Sequence, residues 1–225
     1  IWPSYNQFSE LGEFINVSSS ILYTLDLSRN DLSGPFSTFI FQLSTLSYLD
    51  LSSNKFNGSV QLNKLFDELI NLAILDLSYN NLSVNVAVTN VDPFSFCSII
   101  KLGLASSNLK TFSNFLRYLS RITNLDISDN QIRGILPNWI WKTTYDYFNI
   151  SNNLLTELEE PLRDSFSVFS LDLRHNKLQG PIPAIPKEAY YLDYSSNKFS
   201  SFIPCDIGNY LFDTRFLSFE QCFAW

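Results

Sequence analysis

The chain has 225 residues, 45% of them apolar and 16% aromatic, so it can bury a substantial core, and its 16% charged content argues against disorder. A net charge of −7 offers no basic footprint for nucleic acid or an anionic membrane surface, so neither is expected as a partner. No apolar run reaches the roughly 18 to 20 residues that span a bilayer, and no basic-then-apolar leader opens the chain.

Read in chain order, one form recurs: L-x-x-L-x-L-x-x-N-x-L. It appears as LYTLDLSRNDL (22–32), LSYLDLSSNKF (46–56), LAILDLSYNNL (72–82), ITNLDISDNQI (122–132), YDYFNISNNLL (145–155), VFSLDLRHNKL (168–178) and YYLDYSSNKF (190–199). IIKLGLASSNL (99–109) is a further copy with Ser107 in the Asn place, and SYNQF, with Asn6, reads as the tail of a preceding copy. The Asn-place residues are Asn30, Asn54, Asn80, Ser107, Asn130, Asn153, Asn176 and Asn197, spaced by 24, 26, 27, 23, 23, 23 and 21. A regular period of this length means a solenoid, in which each copy is one coil that buries its apolar edges against its neighbours.

The form has a physical reading. Leu25 and Leu27 alternate with Thr24, Asp26 and Ser28, which predicts a short strand with leucines inward and polar residues outward. Asn30 follows where the chain turns, and its amide can satisfy buried backbone groups from inside. The seven asparagines Asn30, Asn54, Asn80, Asn130, Asn153, Asn176 and Asn197 should therefore form a ladder along the coil. After the Asn, Gly34-Pro35, GILP (134–137) and GPIP (180–183) set an extended return path. NKLFDELINL (63–72) predicts a helical turn, and LPNWIWKTT a short apolar turn on the back.

The period and form identify leucine-rich repeats, and L-x-G-x-I-P after the Asn, matched by LQGPIP (178–183), resembles the plant type. LDLSSNKFNG, NNLSVNVAVTNVDPFSF, NQIRGILPNWIW and YLDYSSNKFS further resemble the extracellular repeats of plant receptor-like proteins, particularly the Verticillium-wilt-resistance type, over residues 1–212. The expected fold is a curved right-handed solenoid with one parallel β-sheet on its concave face and irregular or 3₁₀ segments behind. Residues 213–225 read as a degenerate or truncated end, with Leu217 and Phe219 in strand places and Cys222 where Asn belongs. The resemblance implies a longer product with an N-terminal signal, cysteine-paired caps, one membrane span and no kinase. The absence of Met agrees with reading the chain as part of such a product.

No catalytic motif accompanies the repeats. His175 is the single histidine and lacks a nucleophile and orienting carboxylate at motif spacing; it reads as a surface residue. Glu157, Glu159 and Glu160, beside Pro161, read as a charged loop. Cys97, Cys205 and Cys222 fit neither a disulfide framework nor zinc-ligand spacing and read as buried free thiols. Neither enzyme activity, cofactor nor metal is expected.

Recognition should instead use the outward residues of the strands. One column is Asp26, Asp50, Asp76, Gly103, Asp126, Asn149, Asp172 and Asp193; it is either an acidic recognition stripe or part of the scaffold. Departures from the repeat, Tyr48, Tyr79, Lys101, Tyr147, Arg174, His175 and Tyr191, are candidates for ligand contact, together with Asp126, Asp172 and Asp193. Four N-x-[ST] sequons, at Asn16, Asn57, Asn81 and Asn149, predict glycosylation and an extracellular setting; Asn149 lies in a strand, where a glycan would obstruct the face. The resemblance implies a peptide or protein ligand on the concave face, a co-receptor or adaptor kinase, defence signalling, and a membrane link through flanking regions only. The alternatives are a soluble inhibitor of a secreted pathogen enzyme and a non-signalling fragment of a truncated receptor gene.

Overall fold

The structure, a computed structural model, describes residues 3–11, 21–85, 98–159, 167–182, 186, 189–200 and 216–218. It divides into two compact units: Ile1–Leu109 with Ser113–Ile122, and Lys110–Phe112 with Thr123–Trp225. The cysteines, Asn16, Glu160 and Phe219 fall outside the described residues.

In the first unit the strands are β1 (Thr24–Asp26), β2 (Ser33–Pro35), β3 (Tyr48–Asp50), β4 (Lys55–Gln61), β5 (Ile74–Asp76), β6 (Asn81–Asn85) and β7 (Lys101–Gly103). Strands β1, β3, β5 and β7 pair in parallel with equivalent residues in register: Leu25 beside Leu49, Leu49 beside Leu75, Leu75 beside Leu102. Beneath them Leu49, Leu51, Leu75, Leu77, Leu102 and Leu104 are fully buried, as the alternation predicts. The backs are a 3₁₀ helix (Thr38–Gln42), helix α1 (Leu62–Glu68) and a 3₁₀ helix (Asn114–Tyr118). Helix α1 turns Leu62, Leu65 and Phe66 inward, the one-sided spacing of a short amphipathic helix.

The second unit carries β8 (Asn124–Asp126), β9 (Arg133–Leu136), β10 (Tyr145–Asn149), β11 (Leu154–Leu158), β12 (Val168–Asp172), β13 (Gln179–Gly180), β14 (Tyr191–Asp193), β15 (Lys198–Phe199) and β16 (Phe216–Ser218). Its main sheet has the order β8-β10-β12-β14-β16, again parallel and in register. Leu217 pairs with Leu192, so the ladder extends past residue 212. Aromatic residues replace leucines in this core. Tyr145 stacks on Phe148 at 4.9 Å, Trp141 meets the Phe148 edge at 6.0 Å, and Tyr194 is buried in a leucine place. Glu157 lies in β11 rather than in a loop, and Glu159 accepts the Asn138 N–H at 2.9 Å.

Each described ladder asparagine works as the repeat predicts. Asn54 Nδ2 donates to the carbonyls of Leu27, Leu51 and Ser52 at 2.9, 3.1 and 3.2 Å, while its Oδ1 accepts the Leu32 N–H at 3.0 Å. Asn80, Asn153, Asn176 and Asn197 repeat this set one coil on each time. Asn30 reaches back to the Pro3 carbonyl at 2.9 Å and accepts the Phe8 N–H at 3.2 Å, and Asn6 bonds the Pro3 and Ser4 carbonyls. SYNQF is therefore the tail of a coil. Asn130 bonds the Ile127 and Ser128 carbonyls within its own turn.

Two backbone features go beyond the sequence reading. The residue just before each Asn place is left-handed, with φ between 52° and 57° at Tyr5, Arg29, Ser53, Tyr79, Ser106, Asp129, Asn152, His175 and Ser196. Non-glycine residues stay there only where their surroundings hold them, and at eight of these nine a turn asparagine follows directly. The extended return segments also pair into parallel ladders of their own: β2-β4-β6 in the first unit, β9-β11 and β13-β15 in the second. Gly34, Gly58, Gly134 and Gly180, at φ of 89° to 94°, turn the chain into them.

Candidate functional site

The outward face of each main sheet is built around one repeated carboxylate. Asp26, Asp50, Asp76, Asp126, Asp172 and Asp193 each accept, through Oδ1, the backbone N–H two residues on, at 2.9 to 3.1 Å. Where that residue is Ser28, Ser52 or Ser128, its hydroxyl donates to the same oxygen at 2.6 to 2.7 Å. Asn149 does the same job with an amide, its Oδ1 accepting the Ser151 N–H at 3.0 Å. This local bond stops the strand and starts the turn, in the manner of an Asx turn.

It also corrects the reading that these polar residues point freely outward. Asp26, Asp172 and Asp193 are buried, and so are Ser28, Ser128 and Ser151, because each Asp folds down onto its own backbone. The second oxygens of Asp50, Asp76, Asp126, Asp172 and Asp193 meet the departures from the repeat.

In the first unit Tyr48 donates to Asp50 Oδ2 at 3.5 Å, and Lys101 Nζ lies 3.5 Å from Asp76 Oδ2. Burial first, then neighbouring Asp50, Asp26 and Asp76, pushes the Tyr48 phenol up to about 12. Burial likewise raises Asp50, against the lowering effect of the Ser52 hydrogen bonds. Gly103 interrupts the column, and the Asp76 carboxylate leans into the space its missing side chain leaves.

In the second unit the candidates form two connected groups. Tyr147 donates to Asp126 Oδ2 at 3.4 Å and accepts from Asn149 Nδ2 at 3.1 Å; that amide also lies 3.4 Å from Asp126 Oδ2. Burial, then Asp126, pushes the Tyr147 phenol up to about 12. Two strands on, Arg174 spans two carboxylates: its Nε is 3.3 Å from Asp172 Oδ2 and its Nη1 3.8 Å from Asp193 Oδ2. Tyr191 donates to the same Asp193 oxygen at 3.4 Å, and burial, with Asp172 and Asp193, raises its phenol. Burial pushes Asp172 up to about 6, against the lowering effect of the Arg174 backbone bond and guanidinium.

Tyr79 and His175 are not brought into these groups by strand register. Both occupy the left-handed position before the Asn, off the strands, where Tyr79 is half exposed. His175 contributes backbone bonds, donating to Ser195 and accepting from Asn153. The sequence reading passed over Phe169 and Tyr190, exposed and stacked at 5.0 Å with 12° between their planes. The sequence carries that signal as two aromatics at the second place of consecutive copies. Among the described residues, no group of three or more His, Cys, Asp or Glu is placed to hold a metal ion. No helix among them is long and apolar enough to cross a membrane.

Repeat, register and asparagine ladder define a leucine-rich-repeat solenoid. The Leucine Rich Repeat family model matches residues 121–143. The chain is 36% identical to Receptor-like protein 47 of Arabidopsis thaliana over 174 residues, covering 74% of this chain and 21% of that protein. It is 33% identical to Receptor like protein 26 of the same plant over 196 residues, covering 85% of this chain and 24% of the relative. Among solved structures, the Arabidopsis receptor kinase HAESA, in complex with the peptide hormone IDA and the co-receptor SERK1, superposes with a TM-score of 0.77 at 26% identity. That match covers 97% of this chain and 37% of the HAESA chain in that structure. The plant peptide hormone receptor RGFR1, in complex with RGF2, gives 0.70 at 26% identity, over 92% of this chain and 33% of the receptor chain in that structure. The chain has the leucine-rich-repeat solenoid fold, and its repeats are homologous to those of plant receptor-like proteins. It spans between a fifth and a quarter of the length of these curated relatives.

Proposed function

We propose that this chain is a ligand-recognition region of a plant cell-surface receptor-like protein, lying on the extracellular side of the plasma membrane and acting in defence signalling. Its ligand is a peptide or protein, bound on the outward face of the parallel sheet. In the second unit that face presents Tyr147, Arg174 and Tyr191, with Asp126, Asp172 and Asp193 behind them and His175 at the rim; in the first it presents Tyr48, Tyr79 and Lys101. A co-receptor or adaptor kinase carries the signal onward.

One observation supports this reading above the others. The scaffold uses Oδ1 of every aspartate in the column, so the residues on the second oxygen differ from coil to coil without disturbing the fold: Tyr48, Lys101, Tyr147, Arg174, Tyr191. Tyrosine and arginine in such positions are common interface anchors, because they combine a rigid apolar body with directed polar groups. That HAESA and RGFR1 are solved with peptide hormones supports a peptide ligand here.

The test is a pull-down from plant extracellular fluid and pathogen culture filtrate. The chain is compared with a Tyr147→Ala/Arg174→Ala/Tyr191→Ala variant of equal thermal stability. A partner captured by the parent and lost with the variant supports recognition on this face. A partner held equally by both, or by neither folded protein, sinks it.

A further inference from the structure

Asn57, Asn81 and Asn149 read alike as sequons, yet the fold treats them differently. Asn57 lies in β4 and Asn81 in β6, where the two are direct register partners in the parallel back ladder of the first unit. Registered residues on neighbouring parallel strands project from the same face, about 4.8 Å apart. Both are exposed, while Phe56, Val60, Leu82 and Val84 on the opposite face of the same strands are buried. Among the described residues neither side-chain amide has a hydrogen-bond partner, and the hydroxyl of the first sequon, Ser59, is at the surface. An attached sugar would break no hydrogen bond of either amide among the described residues.

Asn149 is the opposite case. Its Oδ1 holds the Ser151 N–H, its Nδ2 donates to Tyr147 and approaches Asp126, and the Ser151 hydroxyl of its sequon is buried. A sugar on Nδ2 replaces one of its two hydrogens and must leave through the space that Tyr147 and Asp126 occupy. The Asn149 amide would then turn away and free the Ser151 N–H, undoing the bond that ends strand β10.

We propose that Asn57 and Asn81 form a paired N-glycan site on the back ladder, and that Asn149 stays unmodified because its amide is a structural member of the sheet. The ligand class is an N-linked oligosaccharide: a bond forms from the sugar's C1 to Nδ2, the C1–O bond to the lipid-linked pyrophosphate that carried it breaks, and Nδ2 gives up one proton. The consequence for the reading above is that the sugar-bearing surface of the first unit is its back ladder, and the outward face of β10 in the second stays open.

The experiment expresses the full chain behind a secretion leader in a eukaryotic host, so its outcome is independent of whether the chain binds a peptide. Soluble protein from the secretory lumen and the medium is pooled and deglycosylated enzymatically in oxygen-18 water, and each sequon peptide is read by mass spectrometry. Label is expected at one or both of Asn57 and Asn81 in more than half the molecules, and at Asn149 in fewer than one in ten. An Asn57→Gln/Asn81→Gln variant loses the corresponding gel shift. An Asn149→Asp variant, which restores the residue found elsewhere in the column, keeps the parent glycoform pattern. Substantial label at Asn149, or bare Asn57 and Asn81, overturns the proposal.

Discussion

Asp172 holds Arg174 twice: Oδ1 accepts its backbone N–H at 3.0 Å, and Oδ2 lies 3.3 Å from its guanidinium Nε. One carboxylate thus ends the strand and aims the side chain that departs most from the repeat. It does so while buried, which pushes it up to about 6.

That shift has a sign. The folded state keeps the Asp172 proton to higher pH than the unfolded chain, where a carboxyl titrates near ~4. The stability tied to this group is therefore full below pH ~4 and is lost as pH rises through about 6. Asn149 shows that an amide fits the same place in the column. Asp172→Asn should accordingly lose less stability than the parent between pH 4 and 7, by about 1 kcal/mol after screening by water at the face. Urea unfolding at both pH values measures the difference; equal slopes would refute it.

Arg174→Ala should act the other way. It strips the cation from Asp172 and Asp193, so Asp172 moves further up and the fall in stability towards neutral pH steepens, by about 1 kcal/mol. The same unfolding series applies, and a parallel offset with no change of slope would show that the guanidinium does not govern this carboxyl.

The ladder makes a larger prediction. Asn153→Ala leaves the Ile132 N–H without its side-chain partner in a buried place, and takes one of two amide donors from each of the Ile127 and Ile150 carbonyls, which keep Asn130 and Asn176. A cost of about 2 kcal/mol is expected, since one abandoned buried group costs about 1–3 kcal/mol and the two carbonyls are only weakened. The left-handed residue before it, Asn152, should lose its amide protection from hydrogen exchange in the same variant.

Gly103→Asp tests the column from its gap. The substitution restores the commonest residue at that place, yet its Cβ would meet the Asp76 carboxylate, which Ser78 and Lys101 hold where it is. Crowding and a second negative charge should destabilise the protein by about 1–2 kcal/mol. A gain in melting temperature would mean that Asp76 moves aside freely.

Most of the coil was legible in the residues. The period, the strand at Leu25 and Leu27, the asparagine ladder and the helical turn near Leu65 follow from local rules: alternation, amide geometry and one-sided apolar spacing act within a single copy, and repetition removes ambiguity. The left-handed residue before each Asn was not legible, because Arg29, Ser53, Tyr79 and His175 share no side-chain chemistry that asks for it. Their neighbours impose it.

What the sequence by itself determined is the repeat and its register, since every coil states the same pattern of buried and turning residues. Only the tertiary structure decided what the aspartates do. A column of Asp in a strand reads either as an acidic recognition stripe or as part of the scaffold; stacking one coil on the next removes water from it, and each carboxylate then bonds the nearest N–H of its own chain. The same stacking separates Asn149, whose amide is taken into the sheet, from Asn57 and Asn81, whose amides are left outside. Three sequons of one form differ because burial is a property of neighbours, and neighbours in a solenoid come from other coils.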